Sequence, residues 1–119
     1  MQRLGLRRDI ARAKSFLRKA ASTCPENFRA RHLVVEADAA RLREKPMAVD
    51  QRFERAIATA TENEDLQPLA LAHELWAEAL FERNDDRATE QLERACATWE
   101  RYGARGLAAR VRSRASRRR

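Results

Sequence analysis

Residues 66–83, LQPLALAHELWAEALFER, form the most apolar run in an otherwise charged chain. Leu69, Ala72, Trp76, Ala79 and Leu80 recur at helical spacing on one side of a cylinder, while Leu71, Leu75 and Phe81 carry the apolar surface round it. A helix apolar over so wide an arc must be covered on more than one flank. The segments on both sides of it are amphipathic, so the pattern predicts a central helix packed between helical neighbours.

The neighbours follow from the same periodicity. Leu6, Ile10, Ala13, Leu17 and Ala20 define a first helix from about Leu6 to Ala21, broken at Thr23-Cys24-Pro25. Pro25 suits the first position of a second helix, where its missing N–H has no intrahelical partner to lose. That helix is expected to run to about Glu44, with Phe28, Val35 and Leu42 stepping by seven and Leu33, Ala37 and Ala40 by four and three. Pro46 opens a third helix, with Phe53, Ala56, Ile57 and Ala60 as its apolar face, stopping in the polar stretch Thr61 to Asp65. After the central helix, Asn84-Asp85-Asp86 is expected to turn and cap a fifth helix reaching Tyr102, with Gly103 as a left-handed stop. A sixth spans Ala104 to Ser113, and residues 112–119, RSRASRRR, are expected to be a disordered tail.

Connections of two to five residues make successive helices antiparallel neighbours. The second and third helices are echoed by the fourth and fifth at an offset of about 40 residues, the period of stacked helical hairpins. Alanines at 37, 40, 56, 72, 79 and 95 would let paired helices approach closely. The expected core comprises Phe28, Leu33, Ala37, Phe53, Ile57, Leu75, Leu80, Leu92 and Trp99. The fold class is therefore all-α, a solenoid of five to six antiparallel helices, without sheet, over residues 1–111.

The net charge of +7 is unevenly spread. Residues 1–22 carry +6, residues 23–100 carry −7, and residues 101–119 hold eight arginines and no acid. The basic ends offer phosphate contacts, so nucleic acid is the rival partner to protein. No apolar run is long enough to cross a membrane, and no apolar anchor accompanies the basic ends. The N-terminus lacks the apolar centre of a secretory signal and reads as an amphipathic helix. The cysteines, Cys24 and Cys96, are far apart and form no CxxC pair, which fits a reducing, cytoplasmic compartment.

Catalytic and metal chemistry find no support. His73-Glu74 begins a zinc-protease pattern, but Ala77 stands where the second histidine belongs. His32 lies on another helix, and no His or Cys pair has ligand spacing. The isolated glycines form no phosphate loop, and no nucleophile with a neighbouring base can be assembled. The sequence predicts neither an enzyme nor a cofactor.

Three stretches, CPENFRARHLVVEADAARLREK, FERAIATATENEDLQPLALAHELWAEALFER and RACATWERYGA, resemble the tetratricopeptide-like helical region of very large bacterial signalling proteins. Those proteins join a serine/threonine kinase-like domain, a STAND/AAA-type ATPase, this helical region, a GAF sensor and often a sensor histidine kinase. The resemblance rests on Cys24-Pro25-x-Asn27-Phe28, Val35-Glu36-Ala37, Ala56-Ile57-x-x-Ala60, Ala70-x-Ala72-x-Glu74-Leu75 and Trp99-x-x-Tyr102-Gly103-Ala104. Glu44 or Lys45 and Asn84 depart from it, standing where a turn glycine is usual. It implies a non-catalytic scaffold or protein-interaction segment with a peptide docked in a concave groove, and leaves homo-oligomerisation open. By tetratricopeptide analogy the groove residues would be Arg29, His32 and Glu36 on the second helix and His73, Trp76 and Glu78 on the fourth.

Overall fold

The computed structural model describes residues 25–118, and among these every regular element is a helix. The elements are α1 (Pro25–Ala40), α2 (Pro46–Glu62), α3 (Leu66–Glu82), α4 (Ala88–Tyr102) and α5 (Arg105–Arg118). The helix expected before Pro25, together with Cys24, lies outside the described residues.

Each helix boundary has a local cause. α1 stops at Ala40, a turn before the expected Glu44. Lys45 precedes a proline, whose ring disfavours helical backbone in the residue before it, and it is extended at φ −67°, ψ 150°. The N–H groups of Arg43 and Glu44 both turn back to the Ala40 carbonyl, at 2.9 and 2.8 Å. Leu42, expected on the apolar seam, therefore sits in the turn and is exposed.

α2, α3 and α4 end in one shared arrangement. The N–H of Asp65 reaches Ala60 O, that of Asp85 reaches Leu80 O, and that of Ala104 reaches Trp99 O, each at 2.9 Å. This Schellman closure needs a left-handed residue just before the donor. Glu64 (φ 53°), Asn84 (φ 54°) and Gly103 (φ 94°) fill that place. Asn84 thus does the work that a glycine commonly does at this place. Asp85 then caps the following turn, its Oδ1 accepting the Arg87 N–H at 2.9 Å.

α5 continues to Arg118, five residues beyond the expected stop at Ser113, so the segment from residue 112 is helical rather than a loose tail. It contains no proline, its only glycine is in its first turn, and arginine is a good helix former. Arg112 pairs with Glu100 of α4 and Arg114 with Glu74 of α3, which ties the extra turn to the body.

α3 is the hub, as its wide apolar surface requires. It packs on α2 and α1 on one side and most extensively on α4 on the other, while α1 packs on α2 and α4 on α5. One core cluster joins Ala37, Ala40, Val49, Phe53, Trp76, Ala79 and Leu80. A second joins Ala70, Ala77, Leu92, Ala95, Trp99, Ala108 and Val111. A third, of Val34, Ala56 and Ala72, lies where α1, α2 and α3 meet. The alanines at 37, 40, 56, 72, 79 and 95 are all buried, consistent with close helix approach at those points. Phe28, Leu33, Ile57 and Leu75, expected in the core, are only half-buried.

Candidate functional site

Two buried carboxylates on α2 and α3 organise the polar interior. Asp50 is one helical turn below Phe53 on α2 and is buried with it. Its Oδ1 accepts the Trp76 indole N–H at 2.8 Å and Arg83 Nη1 at 3.0 Å. Its Oδ2 accepts Arg83 Nη2 and Arg87 Nη2, each at 2.9 Å. Asp85 closes the ring by accepting Arg83 Nη2 at 3.0 Å and both Nε and Nη2 of Arg87, at 3.0 and 2.9 Å. Two arginines and two aspartates thus neutralise one another at the junction of α2, α3 and α4. Forked guanidinium–carboxylate bonds of this kind are among the strongest polar contacts available.

Trp76 is held in this cluster from several sides. Its ring stacks on Phe53 with centroids 6.3 Å apart and planes 12° apart, and the Arg87 guanidinium lies 5.6 Å from its centroid. Burial pushes the Asp50 carboxyl up, but hydrogen bonds from Arg83, Trp76 and Arg87 outweigh it and leave it below its ordinary range. Asp85 is held far below that range by the side chain and N–H of Arg87.

The second hub repeats the chemistry one helix further on. Glu74 accepts the Trp99 indole N–H at 2.9 Å and pairs with Arg114 of α5. In each hub an indole and a guanidinium share a carboxylate from the preceding helix. A buried charge paired on both oxygens avoids most of the desolvation penalty that an isolated one would carry.

The six residues nominated for a groove do not gather on one face. Arg29 is exposed. His32 and Glu36 are half-buried and pair with each other at 3.5 Å. Glu36 also lies within the electrostatic reach of Arg52 on α2. His73 is buried, its Nδ1–H donating to Gln91 Oε1 of α4 at 2.7 Å, and burial lowers its pKa. Trp76 is 5 % exposed and turned into the core toward α2. Glu78 lies 3.4 Å from Arg114 of α5.

Other residues line the side that α3 shares with α1. Arg41 stands 3.4 Å from both Asp38 and Glu82. Burial raises the Asp38 pKa, and although Arg41 opposes this, Glu82 and Glu78 add to it. A cleft of about 200 Å³ opens here, lined by Arg41, Glu44, Pro46, Val49, Ala79, Glu82 and Arg83. Pro46 and Arg83 are shared with a larger recess of about 580 Å³ that reaches Met47, Asp50, Gln51, Glu54 and Arg87. Met47, on the rim, is 74 % exposed, and Leu42 in the preceding turn is 46 % exposed. The sequence reading missed this edge. Its available signal was Met47, an apolar residue out of register with the Phe53–Ala56–Ala60 face.

A separate crevice of about 380 Å³ lies between α4 and α5, lined by Leu92, Glu93, Cys96, Ala97, Val111, Arg112 and Ser116. The Cys96 thiol donates to the Ala108 carbonyl at 3.1 Å, and burial pushes its pKa up, away from a reactive thiolate. Among the described residues, no three His, Cys, Asp or Glu side chains come together as metal ligands. No described helix is long and apolar enough to cross a membrane. No protein-family model, curated protein or solved structure matches the chain.

Proposed function

We propose that this chain is a non-catalytic protein-interaction or scaffold module, a stack of antiparallel helical hairpins that presents a docking edge to a protein or peptide partner. The observation that carries the reading is the edge at the α1–α2 turn. There the exposed Met47 stands on the rim of the larger recess, beside the smaller cleft that shares Pro46 and Arg83 with it, and the paired charges of Asp50, Arg83 and Arg87 line its floor. Exposed large apolar side chains rimmed by polar groups are characteristic of interaction sites, and methionine adapts its shape to a partner at little cost. The packing order also supports stacked hairpins: α1 pairs with α2 and α3 with α4, while α3 touches both members of the preceding pair.

In this reading a partner's apolar side chain enters beside Met47, and its polar groups meet Arg41, Glu44, Gln51, Glu54 and Glu82 round the clefts. The Asp50–Arg83–Asp85–Arg87 cluster does not bind; it keeps the floor from collapsing. The resemblance to the helical region of bacterial signalling ATPase/kinases suggests that the partner belongs to a signalling assembly. Capture from native lysate, with nuclease present and at moderate salt, should retain a protein that the Met47→Glu variant no longer holds. Met47 touches solvent more than protein, so this substitution should leave the melting curve in place. Equal capture by both proteins would rule the edge out as the docking surface, and capture of nucleic acid alone would rule out the reading itself.

A further inference from the structure

The proposed docking edge leaves the far end of the described structure unassigned, where α5 turns one face inward and the other to solvent. Leu107, Ala108 and Val111 face the core, and Arg114 bonds back to α3. Arg105, Gly106, Ala109, Arg110, Arg112 and Ser113 are exposed. A Cβ added at Gly106 would meet nothing within 4 Å, so this face is open. No acidic residue occurs in α5. Arg112 is paired with Glu100, whereas Arg101, Arg105 and Arg110 make no ion pair with the described residues.

We infer that the outer face of α5, with Arg101, Arg105 and Arg110, is a sequence-independent binding surface for the phosphate backbone of double-stranded nucleic acid. The placement of the charges suits that ligand. Arg105 and Arg110 are separated by about 7.5 Å along the helix axis and by about 140° round it, so they flank the exposed strip and can reach phosphates on either side of a backbone seated between them. The two-residue connection between α4 and α5 keeps Arg101 within about 14 Å of Arg105 by chain length alone. Between the arginines stand Gly106, Ala109 and Ser113, small enough to let a backbone approach the helix closely. The same smallness argues against an anionic membrane, which needs bulky apolar side chains to insert. Because the arginines ride on a helix tied down through Arg112 and Arg114, less ordering is left to occur on binding than for a loose tail.

The test is fluorescence anisotropy of the full chain with a labelled 20-base-pair duplex of mixed sequence, titrated at salt from 50 to 200 mM. Three phosphate contacts contribute about −2.7 to the slope of log K against log salt, or about 40-fold in affinity over that range. The triple variant Arg101→Gln, Arg105→Gln, Arg110→Gln should flatten the slope by about that amount and weaken binding at 50 mM at least tenfold. A control lowering the net charge equally elsewhere, Arg43→Gln, Lys45→Gln, Arg55→Gln, should change binding less than threefold, and two unrelated duplex sequences should bind alike. Circular dichroism checks that both variants keep their helices. No duplex binding, an equal loss in the control, or an unchanged slope in the triple variant would overturn the inference. So would binding to phosphatidylserine vesicles in preference to duplex, or self-association in sedimentation that disappears only in the triple variant.

Discussion

Three residues close helices in the same left-handed conformation, and they are not equally suited to it. Gly103 has no Cβ to clash and Asn84 tolerates the region, but Glu64 at φ 53° is a side chain held where few residues sit. Glu64→Gly should relieve that strain and stabilise the fold by about 0.5–1 kcal/mol after the extra entropy of the unfolded glycine is counted. A thermal melt reads this as a rise of a few degrees; a fall would mean that the Glu64 side chain makes a compensating contact. Asp50 lies at the other extreme, a carboxylate on which an indole and two guanidinium groups converge. Asp50→Ala strands the Trp76 indole N–H and leaves Arg83 and Arg87 with Asp85 as their remaining carboxylate partner. Breaking a fully buried pair costs about 3–5 kcal/mol, and the partial exposure of Arg83 (26 %) and Arg87 (44 %) lowers the expectation to about 2–3 kcal/mol. Asp50→Asn keeps an acceptor for Trp76 and should lose less, so chemical denaturation of the two variants separates the charge from the hydrogen bond. Neither role was legible in the sequence. Asp50 is 26 positions from Trp76, and helical periodicity places each on its own cylinder without saying which residues meet.

At the scale of the helix, legibility depended on how uneven the apolar surface is. α2, with Phe53, Ala56 and Ala60 on one stripe, and α4, with Ala88, Leu92, Ala95 and Trp99, present the faces their spacing predicts. In α1 the apolar residues are spread round the cylinder: the seven-residue step through Phe28, Val35 and Leu42 does not follow the buried face, whereas Ala37 and Ala40 of the four-and-three step lie on it. Ala30, Val34, Ala37 and Ala40 are the buried set. Of the residues nominated for a groove by tetratricopeptide analogy, His73 bonds to Gln91 of α4 and Trp76 to Asp50 of α2, while His32 and Glu36 pair with each other on α1. α5 was misread for a different reason. Its arginines were counted as a charge run, whereas Arg112 and Arg114 find carboxylates on two earlier helices. Val111, fully buried on α5, tests that attachment. Val111→Asp should release α5 and cost about one helix worth of circular dichroism signal, while the clusters centred on Phe53 and Leu80 keep a cooperative melt. Loss of the whole transition would show that α5 is an integral part of the core and not a helix docked on it.

Across the whole molecule, the buried ionisable groups set how the fold responds to acid, and they do not all act with the same sign. His73 is buried between α3 and α4, with Gln91 as hydrogen-bond partner and Arg94 as the charge that opposes its protonation. Its folded pKa lies below the ordinary value, so the unfolded chain takes up the proton first. Stability is then present above about pH 6.5 and declines as pH falls toward the folded pKa. Asp50 and Asp85, both depressed, contribute stability above about pH 4 that is lost in stronger acid. Asp38 runs the other way. Its pKa is raised, chiefly by burial, so the folded state binds its proton more readily and the ionised form weighs against the fold at neutral pH. Two losses on acidification, below about pH 6.5 and below about pH 4 and partly offset as Asp38 takes up its proton, are the expected result for urea midpoints measured from pH 7.5 to 3. His73→Gln, which cannot charge but can still bond to Gln91, should erase the first loss and leave the second. Asp38→Asn should raise the midpoint at pH 7.5 and leave both losses in place. A first loss that survives in His73→Gln would mean that another group titrates there, and that the α3–α4 contact, the most extensive in the fold, does not depend on the protonation of its one buried histidine.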